Sequence, residues 1–94
     1  MQILIRMEIF KEGDEYISLC PELNISSFGS SIEEAKKSLK EAVDLFLEEC
    51  EKMGTLVTVL EEAGFTYIQK PVPQWVSPQP IDIEFLPVEL SYAV

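Results

Sequence analysis

The clearest hydrophobic pattern in this chain has the helical period and lies between Ser30 and Met53. Apolar residues recur there three and four positions apart, as on one buried face of an amphipathic helix. They are Ile32, Ala35, Leu39, Ala42, Val43, Phe46, Cys50 and Met53. Ser31 with Glu34, or Ser30 with Glu33, predicts a capping box at the start, and Gly54 predicts the end. A helix this long with one apolar face needs a surface to pack on.

The residues before this helix have the two-residue alternation of strands. Residues 2–10 predict one half-buried strand, and Glu12-Gly13-Asp14 predicts a hairpin turn into a second strand over Glu15–Cys20. In the second strand we expect Ile17 and Leu19 to face the helix, with Tyr16 and Ser18 on the other side.

Pro21 predicts a bend after the second strand, because proline has no amide hydrogen for a ladder. A short third strand is predicted over residues 25–28, and Gly29 follows it at the entry to the helix. These three strands form the sheet on which the helix is expected to pack.

After the main helix the signals are shorter. A second helix is predicted over residues 55–63 and an extended piece over 65–69. Residues 70–80 contain four prolines and predict a polyproline-like arm, neither helix nor central strand. Trp75 in this arm is expected to staple it to the domain or to a neighbouring subunit. Residues 81–86 and 88–94 alternate again and predict strands; the pattern leaves open whether 81–86 pairs in the same sheet or in a neighbour's.

The order of elements predicts an α+β fold. It is an antiparallel three-stranded meander, then one long helix packed on the sheet, then a closing C-terminal strand or hairpin. We expect one domain over residues 1–94, with the strands and main helix in 1–54 and the short helix, arm and last strands in 55–94.

Charge and composition narrow the classes of function. The 94 residues carry a net charge of −10, with a pI near 4.2 and no histidine. The negative charge argues against direct binding of nucleic acid. The lack of histidine means that the usual general base of enzymes is absent. Two cysteines make neither a disulfide framework nor a zinc site. We therefore expect no enzyme activity, cofactor or metal site. Without an apolar run of eighteen residues we also expect no signal peptide and no membrane span, and a cytoplasmic protein.

Several short motifs follow one another between Asp14 and Leu47. They are a tyrosine-containing strand, Pro-Glu-Leu, a glycine before the helix, Glu-Glu-Ala and a later Glu-Ala. The positions are Glu15, Tyr16, Pro21, Glu22, Leu23, Gly29, Glu33, Glu34, Ala35, Leu39, Glu41 and Ala42. In this order and spacing the stretch, about a third of the chain, resembles the HicB family of antitoxins.

The resemblance implies a partial RNase H-like fold without the carboxylate site of the nuclease. It also implies an antitoxin that neutralises a small, basic, RNA-cleaving toxin of the HicA type by binding it. An acidic domain suits that partner, because complementary charge speeds encounter. The chain departs from many family members after Gly64, where Lys70 is the only basic residue and no DNA-recognition helix is predicted. It is therefore similar to a short, stand-alone form.

Two groups of residues are candidates for contacts with other proteins. For the toxin partner they are Asp14, Glu15, Tyr16 and Glu22. For a homo-oligomer, a dimer or a tetramer, they are Phe28, Trp75 and Tyr92. The oligomer is expected because Leu4, Tyr16 and Phe28 would form an apolar patch on an uncovered sheet face. The alternative function is a self-associating structural protein with no toxin partner and no enzymatic activity.

Overall fold

The computed structural model of this chain describes residues 1–91 and contains one long helix, one short helix and two small sheets. The α+β prediction is confirmed. In chain order the elements are β1 (Gln2–Leu4), β2 (Glu8–Glu12), β3 (Glu15–Cys20), β4 (Ile25–Gly29), α1 (Ile32–Lys52), α2 (Leu56–Glu62), β5 (Thr66–Ile68) and β6 (Gln74–Val76).

The predicted meander is the antiparallel sheet β2–β3–β4. A two-residue turn at Gly13-Asp14 joins its first two strands, so that Glu12 faces Glu15, and Gly13 has a φ of 62°. Such a positive φ is what a tight hairpin turn requires of its glycine. The predicted bend follows β3, where the amide of Asn24 donates to the carbonyl of Pro21 at 3.1 Å.

The ends of α1 agree with the prediction. The Ser31 hydroxyl accepts from the amide of Glu34 at 3.1 Å, so Ser31 is the N-cap. The Glu34 carboxylate accepts from the Ser30 amide at 3.2 Å, one residue before the cap. Gly54 has a φ of 71° just past the C-terminal end. The buried face of the helix consists of Ala35, Leu39, Val43 and Cys50.

The predicted faces of β3 are interchanged in the structure, so this prediction was wrong. Ser18 and Cys20 point to the helix, and both are fully buried. The Ser18 hydroxyl donates to the carbonyl of Ala35 at 2.8 Å, and Cys20 packs with Leu39 and Val43 in the core. The helix lies so close to the sheet that only small side chains fit between them. This steric limit outweighs the greater hydrophobicity of Ile17 and Leu19, which therefore lie on the other face.

The N-terminal alternation forms two strands where one was predicted. Residues 5–7 separate β1 from β2, and the two strands belong to different sheets. β2 pairs with β3, whereas β1 pairs parallel to β6. Ile5, in the break, packs against the core cluster of Cys20, Leu39 and Val43.

The proline-rich arm was predicted to contain no central strand, and this was wrong. Gln74–Val76 forms β6, the middle strand of the sheet β1–β6–β5. Trp75 is paired with Ile3 on one side and with Tyr67 on the other, and its ring centroid lies 5.3 Å from that of Tyr67. Trp75 therefore staples the arm to its own domain. β6 runs parallel to β1 and antiparallel to β5.

The closing hairpin of the fold is β5–β6, earlier in the chain than the strands predicted after Pro80. Residues 77–91 form no strand, and residues 79–91 are exposed. Tyr92 and the end of the last predicted strand lie outside the described residues. The second helix was predicted correctly as α2; its Leu60 is buried, and Gly64 beyond it has a φ of 88°.

Candidate interaction face

The side of the β2–β3–β4 sheet that points away from α1 carries a row of large apolar side chains. Because Ser18 and Cys20 point to the helix, Ile17 points to the opposite side. The register places Phe10 beside Ile17, and Ile17 beside Phe28, so the three form one row across the sheet. We call this side the open face. Its residues are Glu8, Phe10, Glu12, Glu15, Ile17, Leu19, Ser26 and Phe28.

The two phenylalanines of the row are exposed to an unusual degree for aromatic side chains. Phe10 is 51% exposed and Phe28 is 60% exposed, while Ile17 between them is half-buried. A buried phenylalanine contributes roughly 1.5–3 kcal/mol relative to an exposed one. The open face therefore offers apolar area that a partner protein would remove from water.

One end of the open face is acidic. Glu12 and Glu15 are directly opposite each other in the ladder, next to the row of Phe10 and Ile17, and Asp14 lies in the turn between them. Like charges facing each other across two strands are destabilising. Within residues 1–91, neither Glu12 nor Glu15 has a lysine or arginine at ion-pair distance. The folded chain therefore keeps two mutually repelling carboxylates beside an exposed apolar row.

The candidate residues near the hairpin divide between the two sides of the sheet. Asp14 and Glu15 are exposed at the acidic end of the open face. Tyr16 lies on the other side, in register with Lys11 and Gly29, and the Lys11 amine is 5.9 Å from its ring centroid. The structure thus brings together the two acidic candidates and separates the aromatic one from them.

Glu22 does not belong to the open face. Its side chain is only 8% exposed and accepts from the Arg6 guanidinium at 2.8 and 3.0 Å. Arg6 also contacts Glu8 at 3.2 Å. The second carboxylate oxygen of Glu22, Oε2, is buried without a hydrogen-bond partner in the described part of the chain. This ion pair ties the Pro21 bend to the N-terminal segment, so the role of Glu22 in the fold is structural.

The buried environment beside this pair also acts on a cysteine. Burial raises the pKa of the Cys20 thiol, and the Glu22 carboxylate raises it further, while the amide of Leu23 and the Arg6 charge lower it. A raised pKa keeps the thiol protonated at neutral pH. Cys20 is therefore a protonated thiol within the core.

Two of the three candidates for oligomer contacts, Phe28 and Trp75, lie in different sheets. Phe28 belongs to the open face, and Trp75 belongs to the second sheet with Leu4. Tyr92 is outside the described residues. Of the patch expected from Leu4, Tyr16 and Phe28, only Phe28 lies on the open face.

We did not predict from the sequence that Phe10, Glu12 and Ile17 lie on one surface. A signal was present in the two-residue turn Gly13-Asp14, because a two-residue hairpin loop fixes the register of both strands. Counting back from it pairs Glu12 with Glu15 and Phe10 with Ile17.

Two further properties concern residues 1–91 as a whole. No three histidine, cysteine, aspartate or glutamate side chains in this range are arranged to hold a metal ion. None of its helices combines the length and the apolar composition needed to cross a membrane.

No protein-family model, curated protein or solved structure matches this chain. The HicB resemblance therefore stays a prediction that rests on the motifs between Asp14 and Leu47.

Proposed function

We propose that the open face binds a small basic protein, and that the chain neutralises a HicA-type RNA-cleaving toxin in this way, as a HicB-like antitoxin. One observation carries the proposal. The exposed Phe10 and Phe28, with the half-buried Ile17 between them, adjoin two mutually facing carboxylates, Glu12 and Glu15, that have no cation at ion-pair distance within residues 1–91.

This combination has the anatomy of a protein-binding surface. Interfaces have an apolar centre enriched in aromatic residues and a polar rim. The energy of binding is concentrated in a few such central side chains. Phe10 and Phe28 are suited to the centre, and the hairpin carboxylates are suited to the rim.

The charge of the open face suits a basic partner. A net charge of −10 attracts a cationic protein over a distance of about a Debye length, and the hairpin acids favour one orientation on contact. A bound lysine or arginine would also remove the repulsion between Glu12 and Glu15. Binding and relief of that repulsion are therefore coupled.

A pull-down with the tagged full chain from its native cell extract at low salt tests the proposal. We expect a small basic protein in fixed ratio to the bait, released as salt rises, and loss of RNA cleavage by that protein when the chain is added back. Recovery of the bait's own untagged copies alone would contradict the antitoxin function and favour the self-associating structural protein.

Glu12→Gln is expected to have opposite effects on stability and on binding. It removes the repulsion with Glu15, so the free energy of unfolding should rise by about 0.2–1 kcal/mol. The same change should slow association with the basic partner at low salt severalfold, because it removes a rim charge. Urea denaturation measures the first effect and stopped-flow or biolayer interferometry measures the second.

Glu51→Gln is the matched control, since Glu51 is exposed on α1 and the substitution changes the net charge equally. It should not alter the association rate appreciably. If Glu12→Gln and Glu51→Gln slow association to the same extent, the effect comes from net charge alone and the open face is not the contact.

A further inference from the structure

Every large apolar side chain between residues 81 and 90, after β6, is exposed. Residues 81–90 alternate at first between apolar and acidic residues and contain no lysine or arginine. Ile81 and Phe85 are fully exposed, at 105% and 100%, and Ile83 is 76% exposed. Side chains of this kind gain free energy when they are removed from water. We call residues 81–86 the acidic apolar segment.

This segment extends away from its own domain. The radius of gyration is 16.5 Å and the longest dimension is 51 Å. A compact domain of this length has a radius of gyration of about 12 Å. The segment is therefore placed to meet a second molecule.

A groove lined by apolar residues and lysines lies between β1 and α1. It has a volume of about 890 Å³, and its apolar lining includes Ile3, Ile5, Leu39, Val43 and Leu47. The helix packs mainly on β3 and β4, and the groove lies along its β1 side. We call this the β1–α1 groove.

The charged lining of the groove is mainly basic in a strongly acidic chain. Three of the seven basic residues line it: Lys36, Lys37 and Lys40. Two acids, Glu33 and Asp44, also line it, and Asp44 pairs with Lys40 at 2.7 Å. Within residues 1–91, Lys36 and Lys37 have no carboxylate at ion-pair distance. Two lysines thus remain available to the acids of a ligand.

The dimensions of the segment and the groove agree. The groove follows α1 from Glu33 to Leu47, which is about 21 Å at the helical rise. Six extended residues span about 20 Å. In an extended chain Ile81, Ile83 and Phe85 point to one side and Asp82 and Glu84 to the other. The apolar side fits the groove lining, and the acids then lie at its mouth with the lysines.

We propose that the acidic apolar segment of one copy docks in the β1–α1 groove of a second copy, reciprocally, so that two chains form an arm-exchanged dimer. This assembly uses neither Phe10 nor Phe28 and does not depend on a toxin partner. The open face stays accessible in the dimer.

The full chain is expected to have twice its 10.7 kDa mass by light scattering at tens of micromolar. Phe85→Asp should weaken the dimer at least tenfold, whereas Phe28→Asp, on the open face, and Val57→Asp, on α2, should not. A monomeric wild-type chain at this concentration would overturn the proposal. So would a dimer that Phe28→Asp dissociates and Phe85→Asp does not.

Charge exchange tests the pairing of segment and groove. Asp82→Lys with Glu84→Lys, and separately Lys36→Glu with Lys37→Glu, should each weaken the homodimer at least tenfold. Mixing the two variants should restore a heterodimer, because each arm then meets a groove of opposite charge. Failure of the mixture to associate would contradict the proposed contact.

A cross-link distinguishes exchange between copies from folding back within one copy. A chain carrying Glu84→Cys and Lys37→Cys should cross-link into a covalent dimer when oxidised, since the native Cys20 and Cys50 are buried. A cross-linked species that remains monomeric would show that the segment fills its own groove and would refute the exchange.

Discussion

Gly29→Ala is expected to lower the free energy of unfolding by about 2–3 kcal/mol, as overpacking does in a rigid core. A Cβ at Gly29 would lie 2.6 Å from the backbone nitrogen of Ala35 and 2.8 Å from the carbonyl carbon of Glu34. Both atoms belong to the backbone at the start of α1, so no side-chain rotation relieves the clash. Urea denaturation followed by circular dichroism measures the loss.

Gly13→Ala provides the comparison. Gly13 has a φ of 62° and open space where a Cβ would be, so alanine there costs only the left-handed conformation, about 1 kcal/mol. If Gly13→Ala destabilises the chain as much as Gly29→Ala, the close approach of sheet and helix does not have the energetic importance assigned to it.

The close approach at Gly29 also explains why the faces of β3 were difficult to predict. The amphipathic pattern favours large apolar residues toward the helix, which would put Ile17 and Leu19 inside. The start of α1 instead packs directly on Gly29, and the hydroxyl of Ser18 donates to the carbonyl of Ala35 in α1 at 2.8 Å. The close fit between the sheet and α1 determines which face of β3 is buried. The hydrophobicity of single residues does not predict such a fit.

The elements that were predicted correctly have strong local signals. The helix α1 has a capping serine, a periodic apolar face and a terminal glycine within one continuous segment. The β2–β3 hairpin has a glycine in its two-residue turn. Helix caps and hairpin turns depend on residues a few positions apart, so they can be predicted from the sequence alone.

The region after α1 shows where local reasoning fails. Pro73 and Pro78 predicted an irregular arm, but a proline removes only its own amide from a ladder. Gln74–Val76 lies between the two prolines, and its residues keep their amides for pairing. Conversely, residues 81–86 alternate like a strand, yet no strand of the described chain pairs with them. Alternation indicates that a segment is suited to a sheet, and not which molecule supplies the sheet.

The candidate contact residues show the same limit. Asp14 and Glu15 are acids at a hairpin turn, and a turn is exposed in almost any fold. Glu22 has the same charge, but its environment depends on Arg6, sixteen positions earlier. An ion pair over that distance follows from tertiary structure alone.

Arg6→Met is expected to lower the free energy of unfolding by about 3 kcal/mol, the lower end of the range for breaking a buried ion pair. The substitution leaves the Glu22 carboxylate, only 8% exposed, without its cation. One of its oxygens already has no hydrogen-bond partner within residues 1–91, so the other would lose the contacts that offset its burial. Thermal and urea denaturation at neutral pH measure the change.

Glu22→Gln should cost much less than Arg6→Met, although both substitutions break the same pair. Arg6 is 29% exposed and retains Glu8 at 3.2 Å, so its charge stays solvated and partly paired. The double variant Arg6→Met with Glu22→Met removes both charges and should recover most of the loss, because the penalty comes from an unpaired buried charge. Equal losses in the two single variants, or additive losses in the double variant, would mean that packing of the side chains, and not the buried charge, holds the Pro21 bend against the N-terminal segment.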